Sequence, residues 1–266
     1  MTTGVLIFAY NNEHIDYLAM ANWSAKNIRR HLGLPVAVVT NRPPPQDYKF
    51  EQVIIADTTA SHTRKFTDLP DQVTWYNSNR TDAYALSPWS QTLVLDADYV
   101  VASNQLKTVL KLGQDFVAHQ RAHDVTNNPE FNENNVFGRN RMPMSWATVM
   151  MFRRSLYAEM IFDCMAMVKG NWEHYKALYG ATTRTYRNDY ALSIALNIVN
   201  GHTLTGPSIP WSLASVSHEH RLTQLDQDTY RVDYVNQQGK PRWITLNQDF
   251  HAMGKGHLGA IVDCAS

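Results

Sequence analysis

The sequence predicts an α/β protein with a mostly parallel central sheet covered by helices on both faces, plus a smaller, irregular lobe. Three observations carry this. Short apolar runs alternate with stretches of helical spacing up to residue 118. Those runs are apolar throughout rather than every second residue, as in strands buried on both faces. From residue 119 the alternation gives way to sequence rich in Asn, Arg, His and Pro.

Residues 4–10 (GVLIFAY) form the first predicted strand. In 14–31, Ile15, Leu18, Ala19, Ala21, Trp23, Ala25 and Ile28 recur near helical spacing, and Arg29, Arg30 and His31 suit a helix C-terminus. Gly33 and Pro35 end that helix, 35–40 (PVAVVT) is the second strand, and prolines 43–45 require a loop. A third strand is expected at 51–56 and a helix at 81–86. Residues 92–95 (TLVL) make another buried strand that runs directly into Asp96-Ala97-Asp98. In the second half, 119–146 is long for a structureless connection and reads as a functional loop. A strand at 147–152, helices at 155–168 and 189–199, and a hairpin of 230–235 with 242–246 complete the pattern.

With 44% apolar and 18% charged residues, 266 residues can bury a large core. A net charge of zero gives no general attraction to nucleic acid or to a membrane surface. No apolar run approaches the length of a membrane span, and the N-terminus lacks the marks of a secretory signal. Cys164 and Cys264 suit free thiols in a reducing compartment, so a cytoplasmic location is expected. The eleven histidines show no zinc-site spacing.

Asp96 and Asp98 stand at the carboxyl end of a strand, where open α/β sheets bind ligands. Residues two apart on extended backbone point the same way, so both carboxylates can face one hard divalent cation. Such an ion also stabilises the charge that grows on a departing diphosphate. The competing reading makes them loop acids that cap a helix near Ser103. Further along the chain, His251 offers a third ligand, while Gly254 and Lys255 suit phosphate. Arg80 can offset carboxylate repulsion or meet donor phosphates. Asp189, after Asn188 at a helix start, is a cap or a carboxylate that meets a reacting hydroxyl.

Together these residues resemble the GT-A glycosyltransferases, most closely glycosyltransferase family 8, which includes glycogenin. The likeness runs through most of the chain. It takes in the opening strand with Asn11, Asn12 and Tyr17, the stretch RTDAYALSPWSQTLVLDADYVV from Arg80, the segment MSWATVMMFR at 144–153, and the terminal His251-x-x-Gly254-Lys255. It departs from the family at Asn188-Asp189, where an Asp-Gln pair is usual, and at Lys255, which follows Gly254 directly.

The resemblance implies a single GT-A, Rossmann-like catalytic domain over 1–266. Its half 1–118 binds the nucleotide-sugar; 119–266 faces the acceptor and carries the metal- and phosphate-binding tail. It implies that Asp96, Asp98 and His251 ligate Mn2+ or Mg2+. Ala9, Tyr10, Asn12 and Tyr17 then lie near the base and ribose of a UDP-sugar, and Arg80, Asp96, Ala97, Gly254 and Lys255 near its phosphates or sugar. Arg80, Asn188 and Asp189 are the candidate catalytic residues. Family 8 implies transfer with retention; an inverting enzyme with Asp189 as base is the alternative.

For the acceptor, Arg121, Arg139, Arg141, Arg153 and Arg154 interleave with His119, His123, Phe137 and Trp146, which suits a nucleic acid. A solvated loop whose arginines pair with Asp124, Glu130 and Glu133 is the competing reading. The compact chain also resembles phage-encoded glycosyltransferases, which implies a hydroxylated base in phage DNA as acceptor, in the host cytoplasm; a glycan or a protein hydroxyl is the alternative. Two rival classes stand apart. A nucleotidyltransferase normally has a Gly-rich phosphate loop, absent from GVLIFAYNN. A non-catalytic nucleotide-sugar or carbohydrate-binding protein fits the seven Trp and thirteen Tyr.

Overall fold

A computed structural model describes residues 2–57, 62–65, 72–76, 79–128, 135–183, 185–203, 206 and 208–265. Its centre is a six-stranded sheet in which β1 (Thr3–Ala9) lies between β2 (Val36–Thr40) and β6 (Gln91–Asp96). Outside β2 stands β3 (Gln52–Ile55), and beyond β6 come β12 (Trp146–Arg153) and then β8 (Phe116–His119). Strands β1, β2, β3 and β6 are parallel, and β12 alone runs against both its neighbours. All of β2 and all but the first residue of β1 are buried, which is why both read as unbroken apolar runs.

Helix α1 (Tyr17–Leu32) begins three residues later than its apolar spacing suggests. Asn12 Oδ1 accepts the His14 and Ile15 N–H groups, holding that segment in a turn. Asp16 then caps the helix by accepting the Ala19 N–H at 2.8 Å. At the far end Gly33, with φ of 69°, donates back to Arg29 O at 3.0 Å. From β1 the chain crosses through α1 to β2 on one side and later returns as β6 on the other. The carboxyl ends of β1 and β6, paired at Phe8 and Asp96, therefore flank the topological switch point of the sheet.

A second sheet has the order β7 (Tyr99–Val100), β17 (Phe250–Ala252), β13 (Leu213–Val216), β9 (Ala122–Asp124). Two hairpins, β4 (His62–Lys65) with β5 (Gln72–Trp75) and β10 (Val136–Phe137) with β11 (Met142–Pro143), stand apart from it. Strands β14 (Arg221–Gln224), β15 (Tyr230–Val235) and β16 (Pro241–Leu246) make an antiparallel ribbon. Among the described residues the remaining α-helices are α2 (Ala83–Leu86), preceded by a 3-10 turn at Asn79–Asp82, α3 (Leu106–Leu110), α4 (Leu156–Gly170), α5 (Trp172–Tyr179), α6 (Asn188–Val199) and α7 (Lys255–Cys264). Helix α6 packs on both α4 and β12. No helix among the described residues is long and apolar enough to cross a membrane.

The expectation of a loop over 119–146 is corrected in its described part, which contributes β9 to the second sheet and forms the β10–β11 hairpin. Strands of two or three residues are too short to leave a periodic signal.

Strand β8 ends at His119, whose ring is fully buried. Its Nδ1 donates to Trp211 O at 3.0 Å, and Nε2 has no hydrogen-bond partner among the described residues. Burial lowers its pKa from 6.5 to about 4, against a smaller raising effect of the Trp211 bond. The folded ring stays neutral where the unfolded ring takes a proton, so its contribution is complete above pH 6.5 and fades as pH falls towards 4. Up to about 3 kcal/mol of stability should be lost over that window. Urea midpoints should therefore fall more steeply with acid in the wild type than in His119→Gln; parallel profiles would refute this.

Candidate active site

At the switch point the carboxyl ends of β1 and β6 open into a cavity bounded by Tyr10, Tyr17, Arg80, Asp96, Ala97 and Asp98. Its opposite wall comes from Trp146, Ala147 and Thr148 at the start of β12 and from Arg187, Asn188 and Asp189 at the start of α6. Phe8 of β1, Trp75 and Tyr76 at the end of the β4–β5 hairpin, and His251, Met253 and Lys255 complete the lining.

Asp96 is the last residue of β6, whereas Asp98 lies in the turn before β7. Their convergence thus comes from a turn and not from strand alternation, which corrects the geometric reason given above. Asp98 is buried and Asp96 half-buried. The third member arrives through the second sheet. Pairing of β17 with β7 sets His251 opposite Tyr99, and the Ala252 N–H donates to Asp98 O at 3.0 Å. One ligand atom from each of Asp96, Asp98 and His251 then lies within 4.8 Å of the others, with His251 Nε2 3.4 Å from Asp98 Oδ2. Neither acid caps the segment at Ser103. Asp249 does so, its Oδ1 accepting the Ala102 and Ser103 N–H groups at 2.9 and 2.7 Å.

Two buried cations face this pair. Arg80, 1% exposed, donates from one arm to Asp96 Oδ1 and from the other to Ala147 O. Lys255, 7% exposed in the first turn of α7, donates to Asp98 Oδ2 and, at 3.1 Å, to Ala252 O. A helix N-terminus and a desolvated pocket each disfavour an ammonium, so the Asp98 carboxylate is what holds it there. Burial pushes the Asp98 carboxyl up, but Lys255 and His251 together outweigh it and hold the group well below its ordinary range.

Two carboxylates and an imidazole form a donor set that suits Mn2+ or Mg2+. Bonds of about 2.0–2.2 Å put opposite ligands a little over 4 Å apart, so the observed spread fits after a small contraction. The local charge fits as well, since a divalent ion can replace the countercharge that Lys255 gives Asp98.

Asp189 faces the cavity with both oxygens engaged. Oδ1 accepts the Ala147 N–H at 2.9 Å, and Oδ2 accepts from Arg187 at 2.8 Å. Burial would raise its carboxyl, yet Arg187 and the Ala147 N–H keep it below the usual value. Asn188 also lines the cavity, its Oδ1 accepting the Tyr186 hydroxyl at 3.2 Å.

Three expected residues lie outside the cavity lining. Ala9 is sealed within β1, and Gly254 is the buried residue before α7. Asn12 is a structural pin, its Nδ2 donating to Thr74 O at 2.9 Å and so fastening the β5 strand beside the cavity. Phe8, Trp75, Tyr76, Arg187 and Met253 line it without having been named as site residues. Trp146 and Thr148 fall in the segment 144–153 that carries part of the family likeness; no local motif marks Trp75 and Tyr76.

The basic stretch is also partly reassigned. Arg153 donates to the carbonyls of Leu110, Leu112 and Gln114, and Arg154 to Ser87 O while stacking over Tyr84. Arg121, Arg139 and Arg141 are exposed. Glu130 and Glu133 lie outside the described residues.

No protein-family model matches the chain, and no curated protein matches it. Among solved structures it is similar to the glycosyltransferase GlyE of Streptococcus pneumoniae TIGR4, at 11% identity and a TM-score of 0.44. That match covers 79% of this chain and 45% of GlyE, so the chain spans under half the length of that protein. It is similar to the galactosyltransferase LgtC in complex with donor and acceptor sugar analogs, at 10% identity and a TM-score of 0.48, over 72% of this chain and 70% of LgtC. A mannosyltransferase from Pyrobaculum calidifontis, in complex with GDP-Man and Mn2+, matches at 12% identity and a TM-score of 0.40, over 79% of this chain and 54% of that one.

Proposed function

We propose that the chain is a metal-dependent glycosyltransferase of the GT-A, family 8 kind, which moves a sugar from a UDP-sugar to an acceptor hydroxyl. The observation that carries this is the convergence of Asp96, Asp98 and His251 at the switch point of a mostly parallel sheet, with Arg80 and Lys255 beside them. Asp96, Asp98 and His251 would hold Mn2+ or Mg2+, which when bound stabilises charge on the departing diphosphate. Arg80 fixes the direction of the Asp96 carboxylate. Lys255, which lines the cavity beside Asp98, is the ammonium that would meet phosphate oxygens. The rings of Tyr10, Tyr17, Trp75 and Tyr76 give the base a flat apolar surface.

Asp189 is read here as a positioning group, which accords with retention: Oδ1 holds the Ala147 N–H of β12 and Oδ2 holds Arg187. On this reading Asp189 positions β12 and Arg187, and Asn188 is the residue of the pair that faces the donor sugar.

The test is a panel of UDP-, GDP- and CDP-sugars with and without Mn2+, read by release of nucleoside diphosphate and by calorimetric binding. Metal-dependent turnover or binding with a UDP-sugar is the expected result. No metal-dependent signal with any donor would sink the proposal.

A further inference from the structure

A second cavity, of about 500 Å³, opens beyond the carboxyl ends of β9 and β13 and under the β15–β16 turn. Its walls carry Asn127, Asn128, His220, Tyr234, Gln237 and Gln238. Glu219 is the one carboxylate among the described lining residues, and none of them is Lys or Arg. Side-chain amides and an imidazole each offer donors and acceptors together, which matches the paired demands of sugar hydroxyls. A phosphate-bearing polymer would find no cation here.

A buried group fixes one wall. Asp124 is 0% exposed; its Oδ1 accepts the Thr126 N–H at 2.8 Å as well as the Thr126 hydroxyl, and lies 3.5 Å from His220 Nε2. This sets the face that His220 turns to the cavity, where its ring lies 5.8 Å from that of Tyr234. Asp124 Oδ2 has no hydrogen-bond partner among the described residues.

The cavity is linked to the metal-ligating strand by the ladder itself. Asp124 pairs in register with Ser215, and Ser215 with His251. Two strand spacings, about 10 Å, separate Asp124 from His251, and in-register neighbours share a face of the sheet. Asp124, which holds the cavity wall, thus stands from His251 at a separation of the order that a short oligosaccharide spans, with Ser215 buried between them.

We infer that this cavity is a binding subsite for the acceptor, and that the acceptor is a neutral oligosaccharide. This rests on the glycosyltransferase reading for its catalytic meaning, though not for the binding event.

The test uses maltotetraose, cellotetraose, xylotetraose and laminaritetraose as probes, with a 20-bp duplex DNA as competitor, followed by saturation-transfer NMR and calorimetry. The exposed pair Gln237→Ala/Gln238→Ala is compared with wild type, and UDP with Mn2+ is titrated into both. At least one tetrasaccharide should bind the wild type, bind the double variant at least ten-fold more weakly, and resist displacement by DNA, with UDP affinity equal in both proteins. Failure of all four probes, equal binding by the variant, or displacement by DNA would overturn the inference. Tetrasaccharide binding without any UDP binding would instead refute the proposed function and leave the sugar site standing.

Discussion

Asp98→Asn should remove divalent-cation binding and turnover together, and it should also cost stability. The carboxylate is the buried member of the ligand set, and an amide cannot supply its charge. Mn2+ affinity is expected to fall at least about 100-fold and transfer at least about 1000-fold. The stability loss has a separate cause. Lys255 stays 7% exposed with its counter-charge gone, and an uncompensated buried charge costs about 3 kcal/mol. Adding Lys255→Met should restore most of that loss and none of the metal binding. Urea midpoints and Mn2+ calorimetry on the single and double variants decide the matter. Undiminished turnover in Asp98→Asn would mean that the carboxylate is purely structural.

Arg80→Met should be the most destabilising single change at the site. The guanidinium is fully buried and bridges Asp96 to the Ala147 carbonyl, tying β6 to β12 at the mouth of the cavity. Its removal leaves a half-buried carboxylate and a main-chain acceptor unserved, a loss of about 3–5 kcal/mol. Arg80→Lys should recover only part of it, because one ammonium cannot reach both partners. Mn2+ should raise the urea midpoint of Arg80→Met more than that of wild type, since the ion supplies Asp96 with the missing positive charge. Equal midpoints for wild type and Arg80→Met would end this account of the residue.

The central sheet was legible because its strands are buried on both faces. GVLIFA, VAVVT and TLVL announce themselves without any partner in view. The cavity lining was legible where short motifs mark it, at Asp96, Asp98, Asn188, Asp189 and His251. It was illegible where the fold alone brings residues in. Trp75 and Tyr76 reach the cavity because Asn12 pins a hairpin beside it, and no spacing in the sequence encodes that contact. Arg153 looks like a ligand-binding cation until three carbonyls claim it. Lys255 looked like a phosphate ligand, and its contact with Asp98 depends on the two-residue strand β7, too short to be heard in any periodicity.

That brief ladder between β7 and β17 also sets a timetable. Lys255 and Asp98 are 157 positions apart, and the His251 imidazole belongs to the same late strand. At synthesis speeds of about 5–20 residues per second, a nascent chain carries its aspartates for roughly ten seconds or more before their partners leave the ribosome. During that interval the first half holds two acids with no imidazole to finish the cage. On the proposed reading, cation capture would therefore wait for the synthesis of β17 and not follow that of β6.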